Sequence, residues 1–513
     1  MNETQDRGQW NNKLGFLMAV VGSAVGLGNI WRYPYLLYKD GGGAFLLPYF
    51  VAIITAGIPL VLLEYGFGHK FRGSAPLSYT RANRKFEWIG WVPAFASMVI
   101  LSYYCVILSW AFNYLVKSFN FGWTSNPNDY FFGEFLKLSD GPFDFSHFNW
   151  SIVIGIVIIW TINWYYTYRG VSSGIEKVNR FLMPTLVVIM IIIVIRGVTL
   201  EGATAGLNAL FTPQFDKLTN IRVWLDAYGQ VFFSLSLAMG ALITYSSYLP
   251  RKTDLNNSAF ITAFANCGFE FLSAIGVFGI LGYMATQQGV PIDDVVTQSV
   301  GLAFVAFPQV LLLMGPFWGK LMGVLFFTSL IFAGITSSLS LIETFTSSFI
   351  DKTGAERKKV ATIAGLIGLA TSLMYATGAG LYLLDIIDHY INAYVIVSLG
   401  MVEAILIGWV VGASKMREHS NAISYIRIGS WWEIMIKFVT PAVLGLMLVL
   451  SVIDEIQKGY EGYPTAALLV FGVLMVATLL VLGIIMRSRP WHNPETVKYS
   501  GFEHDYYKLE QKL

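Results

Sequence analysis

The chain reads as an all-α integral membrane protein with about twelve transmembrane helices, arranged as a five-plus-five inverted repeat whose first and sixth helices are unwound. Three observations predict this. Of its 513 residues, 55% are apolar and only 13% charged, far from the balance of a soluble domain. Apolar runs of about 20 residues, the length a helix needs to cross a bilayer, recur along the whole chain. The first and sixth of these runs are interrupted by residues that disfavour helix.

The runs lie at 14–38, 42–69, 88–117, 149–167, 176–197, 225–249, 259–286, 319–350, 359–377, 381–412, 432–453 and 464–486. They divide a single transporter domain, 1–513, into an N-terminal segment (1–13), a first repeat (14–197), a second repeat (225–412), two additional helices (432–486) and a tail (487–513). Met1 to Trp10 is polar and the run behind it is too long for a signal-peptide core, so the first helix is expected to stay in the mature protein. Between the seventh and eighth runs, Gly301 to Pro316 is apolar but too short to span, and reads as a helical loop over an entrance. Clusters of Lys and Arg fall on alternate loops, around Arg7, Lys70–Lys85, Arg251, Lys352–Lys359, Lys415–Arg427 and Arg487. By the positive-inside rule these loops and both termini are cytoplasmic. A net charge of +2 with no basic block excludes nucleic acid as a partner, and no obligate protein partner is evident beside the lipid bilayer. The two cysteines, Cys105 and Cys267, sit in apolar runs and read as small hydrophobes.

The first run contains GSAVGLGNIWRYP, where Gly22, Gly26 and Gly28 fall within seven residues. Each costs a helix interior about 1 kcal/mol relative to alanine. An unwound stretch at membrane depth is tolerated only where it lines a protein cavity, so the break points to a site. The sixth run, QVFFSLSLAMGALITY, carries serines and a glycine at the same depth. Paired breaks at corresponding positions of two halves mark an inverted-repeat transporter with its site at the midplane. Glu64, Glu270, Asp388 and Glu403 lie inside apolar runs, where a carboxylate is costly and functional by default. The six histidines show no ligand spacing and no nucleophile is paired with a base, which argues against an enzyme.

At these residues the chain resembles the neurotransmitter:sodium symporter family, in its bacterial leucine-transporter-like branch. The likeness is carried by GSAVGLGNIWRYP, GGGAFLLPY (Gly41–Tyr49), SYYCVILSW in the third run, FFSLSLAMG in the sixth, Asn266 with Glu270, and FAGITSS (Phe332–Ser338). It implies the LeuT-like fold and sodium-coupled import of neutral, mainly apolar α-amino acids by alternating access across the plasma membrane. It also implies two sites for Na+. The first would use Ala24, Asn29, Ser234 and Asn266 together with the substrate carboxylate. The second would use Gly22, Val25, Ala333, Thr336 and Ser337; taken alone, Thr336 and Ser337 read as hydroxyls bonding back onto their own helix.

The resemblance further implies a substrate carboxylate at the amides of Leu27 and Gly28 and the Tyr104 hydroxyl, and an ammonium group near Ala24, Phe233, Ser234 and Ser236. The side chain would meet Ile100, Tyr104, Phe233, Ala238, Met239, Ser337 and Leu341. Gly26 is bare where the amine-carrying branch has an aspartate, which favours a substrate that brings its own carboxylate. Glu270 stands where chloride-dependent members have serine, so a fixed carboxylate replaces chloride. Arg32 with Asp388, over a lid of Phe233 and Tyr104, would gate one end, and Arg7 with Asp351, near Trp10 and Tyr248, the other. An ω-amino acid or an osmolyte such as taurine is the alternative substrate, and a non-transporting sensor the alternative role. A cysteine-free long outer loop points to a bacterial member.

Overall fold

In the computed structural model, residues 8–123, 126–296 and 300–498 are described, and among them no strand occurs. Ten of the described helices are long and apolar enough to cross a membrane: Gly42–Phe71, Arg84–Lys117, Trp150–Arg169, Val171–Val198, Leu255–Gln288, Pro316–Thr353, Arg357–Ala376, Gly380–Asn421, Trp431–Lys458 and Thr465–Ser488. An eleventh span is the pair Lys13–Ala24 and Gly28–Lys39, bent by 52°. The twelfth is the pair Ile221–Ser234 and Ala241–Ser247, parted by six non-helical residues. A broken helix thus opens each set of five, as the five-plus-five inverted repeat requires. The expected loop over an entrance is the short apolar helix Leu302–Leu313.

Several helices outrun their apolar runs, two of them for a visible reason. Gly380–Asn421 continues nine residues beyond the expected 412, through the polar sequence Ala413–Asn421, whose Ser414 hydroxyl and Arg417 guanidinium reach Glu433 at 2.9 Å each. The fifth span begins at Val171 rather than 176, because Gly170, at φ 91°, turns the chain directly out of Trp150–Arg169. Side-chain caps set the ends of others: Asn12 accepts from Gly15 N–H, Asn149 from Ser151 N–H, and Asp254 from Asn257 N–H, each satisfying an otherwise orphan donor.

Burial sorts the helices by role. Arg84–Lys117 and Pro316–Thr353 are 89% and 83% buried over their apolar windows and form the centre of the bundle, whereas Trp431–Lys458 and Thr465–Ser488 are 22% buried and face lipid. Both central helices carry residues of the expected site: Ile100 and Tyr104 on the first, Thr336, Ser337 and Leu341 on the second.

Close backbone approach fixes where neighbouring helices sit. At Gly68 an added Cβ would lie 2.1 Å from the Ile243 carbonyl oxygen and 2.2 Å from Ser246 Oγ. Gly68→Ala is therefore expected to cost about 1–3 kcal/mol through overpacking and to lower the thermal midpoint measured by scanning fluorimetry in detergent. Gly133→Ala, in open space, is the control and should leave the midpoint in place.

Candidate functional site

The two breaks face each other across a cavity of about 630 Å³. In the first, the chain leaves helix at Val25 (φ −76°, ψ 93°) and re-enters at Gly28. Gly26 N–H donates to Asn29 Oδ1 at 2.9 Å and Leu27 N–H to the Tyr104 hydroxyl at 3.3 Å. In the second, Ser236, Ala238 and Gly240 take φ values of 53°, 59° and 72°, a left-handed conformation that non-glycine residues seldom adopt. Three contacts hold that turn from outside: the Ser236 hydroxyl donates to Ser23 O at 3.0 Å, Ala238 N–H to Glu64 Oε1 at 2.8 Å, and the Ser97 hydroxyl to Met239 O at 3.1 Å.

Of the thirteen residues expected around the substrate, twelve line this one cavity. Ala238, next to the lining residue Met239, is the exception, and its amide is held by Glu64. Gly28 has a steric reason to be glycine, since a Cβ there would lie 2.8 Å from the Phe233 ring.

Beside the first break a chain of buried side chains runs outward from the cavity. Asn29 Nδ2 donates to Asn266 Oδ1 at 2.7 Å, and Asn266 Nδ2 to Ser234 Oγ at 3.0 Å. One turn further along Leu255–Gln288, Glu270 is fully buried. It accepts a hydrogen bond from the Tyr49 hydroxyl and another from Gln230 Nε2 at 2.6 Å. The side chains expected at the first sodium site, and the carboxylate expected to replace chloride, are thus contiguous.

On the opposite side of the break, Ser337 Oγ lies 3.2, 3.1 and 3.4 Å from the carbonyl oxygens of Gly22, Ser23 and Val25. The Ser23 oxygen also accepts from the Ser236 hydroxyl, but one Ser337 proton cannot satisfy the Gly22 and Val25 oxygens as well. The surplus of uncharged hard oxygens in a small volume fits a bound alkali cation, which prefers oxygen ligands of this kind. Thr336 Oγ1 bonds back to Ala333 O at 2.8 Å, and Gly22 abuts Thr336, its missing Cβ only 3.0 Å from Thr336 Cβ. Among the described residues no cluster of His, Cys, Asp or Glu could hold a transition metal.

At the expected gates, one pair is open and the other is described only on its Asp351 side. Arg32 and Asp388 both line the cavity but form no ion pair. The Arg32 guanidinium stands over the Phe233 ring, 5.4 Å from its centroid, while Asp388 accepts from the Tyr103 hydroxyl at 2.7 Å and Asn392 Nδ2 at 2.9 Å. The cavity therefore continues past both to a mouth at Lys39, Asp226, Tyr460 and Glu461. Near the mouth, Asp385 accepts from Tyr460 and Tyr463 at 3.1 and 2.9 Å. Burial, reinforced by that carboxylate, pushes both phenols up, so they stay neutral donors across physiological pH.

At the other end the path is shut. Trp10, 2% exposed, donates from Nε1 to Tyr245 O at 2.8 Å. Asp351 accepts from Ser74 N–H at 2.9 Å; its expected partner Arg7 lies outside the described residues. Closure there also uses the pair Arg357 and Glu343, which the sequence reading did not assign to a gate, beside Tyr248, which it placed near this one. Arg357 pairs with buried Glu343 through two bonds of 2.7 and 2.8 Å, and Tyr248 donates to the same carboxylate at 2.7 Å. Glu343 did carry a signal, a carboxylate within the run 319–350. Ser23 carried none, since its contribution is a carbonyl.

A model of the sodium:neurotransmitter symporter family matches residues 7–126 and 120–493. The chain belongs to this family. The symporter is 41% identical over 483 residues to an uncharacterised sodium-dependent transporter of Methanocaldococcus jannaschii, covering 94% of this chain and 98% of that one. It is 30% identical to a sodium- and chloride-dependent glycine transporter 1 of Xenopus laevis, over 96% of this chain and 85% of that one. It is 29% identical to the sodium- and chloride-dependent taurine transporter of Canis lupus familiaris, over 94% and 84%. The protein is accordingly a multi-pass, sodium-dependent symporter and not an enzyme. The first of these relatives is archaeal, so this kind of chain is not confined to bacteria.

Proposed function

We propose that the symporter imports neutral, mainly apolar α-amino acids, coupled to two sodium ions and without chloride. The observation that carries this is the cavity floor. There the start of Gly28–Lys39, the Tyr104 hydroxyl and a position without a side chain, Gly26, offer donors and a positive helix end to a carboxylate. The walls at Ile100, Met239 and Leu341 are apolar. A ligand with an α-carboxylate and an apolar side chain meets both.

Coupling follows from shared contacts. A sodium ion among Asn29, Asn266, Ser234 and the Ala24 carbonyl would touch the substrate carboxylate directly, so each raises the affinity of the other by the same factor. The second ion would draw the Gly22 and Val25 carbonyls toward Ala333, Thr336 and Ser337, bracing the first break against a central helix. Glu270 supports independence from chloride, because a buried carboxylate already supplies the negative charge. With the basic loops cytoplasmic, the open mouth faces outside and the Trp10 end faces the cytoplasm.

The test is uptake of labelled leucine or alanine into proteoliposomes, with sodium replaced by potassium, chloride by gluconate, and the other amino acids as competitors. Sodium-dependent uptake that survives gluconate and yields to neutral α-amino acids is expected. Competition by taurine but not by α-amino acids would assign the ω-amino acid alternative, and binding without uptake a sensor. Ser337→Ala is expected to raise the sodium concentration for half-maximal uptake by about tenfold, from loss of a cation ligand worth about 1.5 kcal/mol. An unchanged sodium dependence would remove Ser337 from the second site.

A further inference from the structure

A second recess, of about 250 Å³, opens at the end opposite the mouth, where Arg84–Lys117 begins and Thr465–Ser488 ends. Its walls carry Arg84, Lys85, Arg487 and Arg489, and its base is Glu87 with Trp491. The base is rigidly built. Glu87 is buried and accepts from Trp91 Nε1 at 3.1 Å and from Trp491 Nε1 at 2.9 Å. Its charge is met by the ammonium of buried Lys352, which also lies 4.4 Å from the Trp491 ring centroid. With Glu87 neutralised from behind, the four wall cations have no carboxylate partner among the described residues. Four like charges around one small recess call for an anion, and the guanidinium fork matches a phosphate.

The surroundings specify how that phosphate arrives. Immediately before Arg487 the helix exposes Val481, Ile484 and Ile485, at 53%, 56% and 44%, on a span that lies largely against lipid. The recess therefore sits at headgroup depth, at the end of an apolar strip suited to acyl chains. Basic pockets between helices at a membrane surface have the chemistry of anionic-lipid sites. We propose that this recess binds the phosphate of an anionic phospholipid whose chains lie along Val481–Ile485. The lipid bridges the first residues of the helix bearing Ile100 and Tyr104 to the last membrane helix. The floor of the recess, Glu87 and Trp491, is braced from behind by Lys352, next to Asp351.

The experiment uses the full-length protein, delipidated in neutral detergent and titrated by native mass spectrometry with phosphatidylglycerol, phosphatidylcholine or inorganic phosphate. Phosphatidylglycerol is expected to bind the wild type at least about tenfold more tightly than phosphatidylcholine. That preference should vanish in R84Q/K85Q/R487Q/R489Q and persist in R222Q/K458Q, which removes cations elsewhere. Should the quadruple variant fail to fold, Arg487→Gln and Arg489→Gln at the exposed helix end are each expected to weaken phosphatidylglycerol about threefold. Equal binding of both lipids, or unchanged binding in the variants, would overturn the proposal. Displacement of phosphatidylglycerol by millimolar inorganic phosphate would make this a free-phosphate site and overturn the lipid assignment.

Discussion

Glu270→Ser should abolish uptake in gluconate, by about 10²–10³-fold, and chloride should restore it to within a few-fold of wild type. Tyr49 and Gln230 both donate to the Glu270 carboxylate inside a fully buried pocket. Removing that charge leaves two aligned donors without an acceptor, beside the place proposed for a sodium ion. Each buried donor left unmet costs about 1–3 kcal/mol, and two of them set the size of the effect. A chloride ion in the vacated volume would meet the same donors, the serine hydroxyl and the same positive field. A chloride titration of uptake in proteoliposomes decides the matter. Full activity in gluconate would show that the charge is dispensable. Inactivity in both media, with monodisperse protein, would make Glu270 a structural carboxylate.

Gly26→Asp is expected to reduce uptake of neutral α-amino acids by about 10³-fold. A Cβ at this position lies 3.1 Å from both Ser337 Oγ and the Tyr104 hydroxyl, so a carboxylate attached to it enters the floor where the substrate's own carboxylate is proposed to sit. Two negative charges about 4 Å apart repel by about 4 kcal/mol at an effective dielectric of 20. Gly26→Ala separates charge from volume. Its contacts need only a few tenths of an ångström of adjustment, and it should lose no more than about tenfold. Competition binding with leucine and with amines lacking a carboxylate measures both variants. Equal loss in the two would mean that size, not charge, governs this position.

The spans could be read from the chain because bilayer thickness imposes a length on every helix. Both breaks could be read because three glycines, or two serines and a glycine, at membrane depth weaken a helix where lipid would penalise any loss of backbone hydrogen bonds. What the sequence did not show depends on distance along the chain or on the backbone. Glu64 stands out as a buried carboxylate, yet its partner is an amide 174 residues away. Ser236 and Ala238 adopt positive φ without being glycine, so no residue type announces the turn. The Arg32 and Asp388 pair illustrates a different limit. Opposite charges at two ends of a path suggest a gate, but in this open-mouthed arrangement each has a competing neighbour, the Phe233 ring for one and Tyr103 with Asn392 for the other. The basic recess joins residues about 400 positions apart and could be found only in three dimensions.

The bond between Glu64 and Ala238 has a mechanical consequence. A six-residue interruption would ordinarily act as a swivel, letting Ala241–Ser247 turn freely against Ile221–Ser234. Here the swivel is pinned from the side, and the Ser246 hydroxyl adds a second pin on the Glu64 carbonyl at 3.3 Å, next to the close fit at Gly68. Ala241–Ser247 and Ile58–Phe71 therefore behave as one lever. Torque applied to either is delivered to both, and the slack needed to close one end while opening the other is left to the three residues Val25–Leu27 and, once the Ser236 hydroxyl leaves Ser23 O, to the Leu235–Leu237 link ahead of the pin.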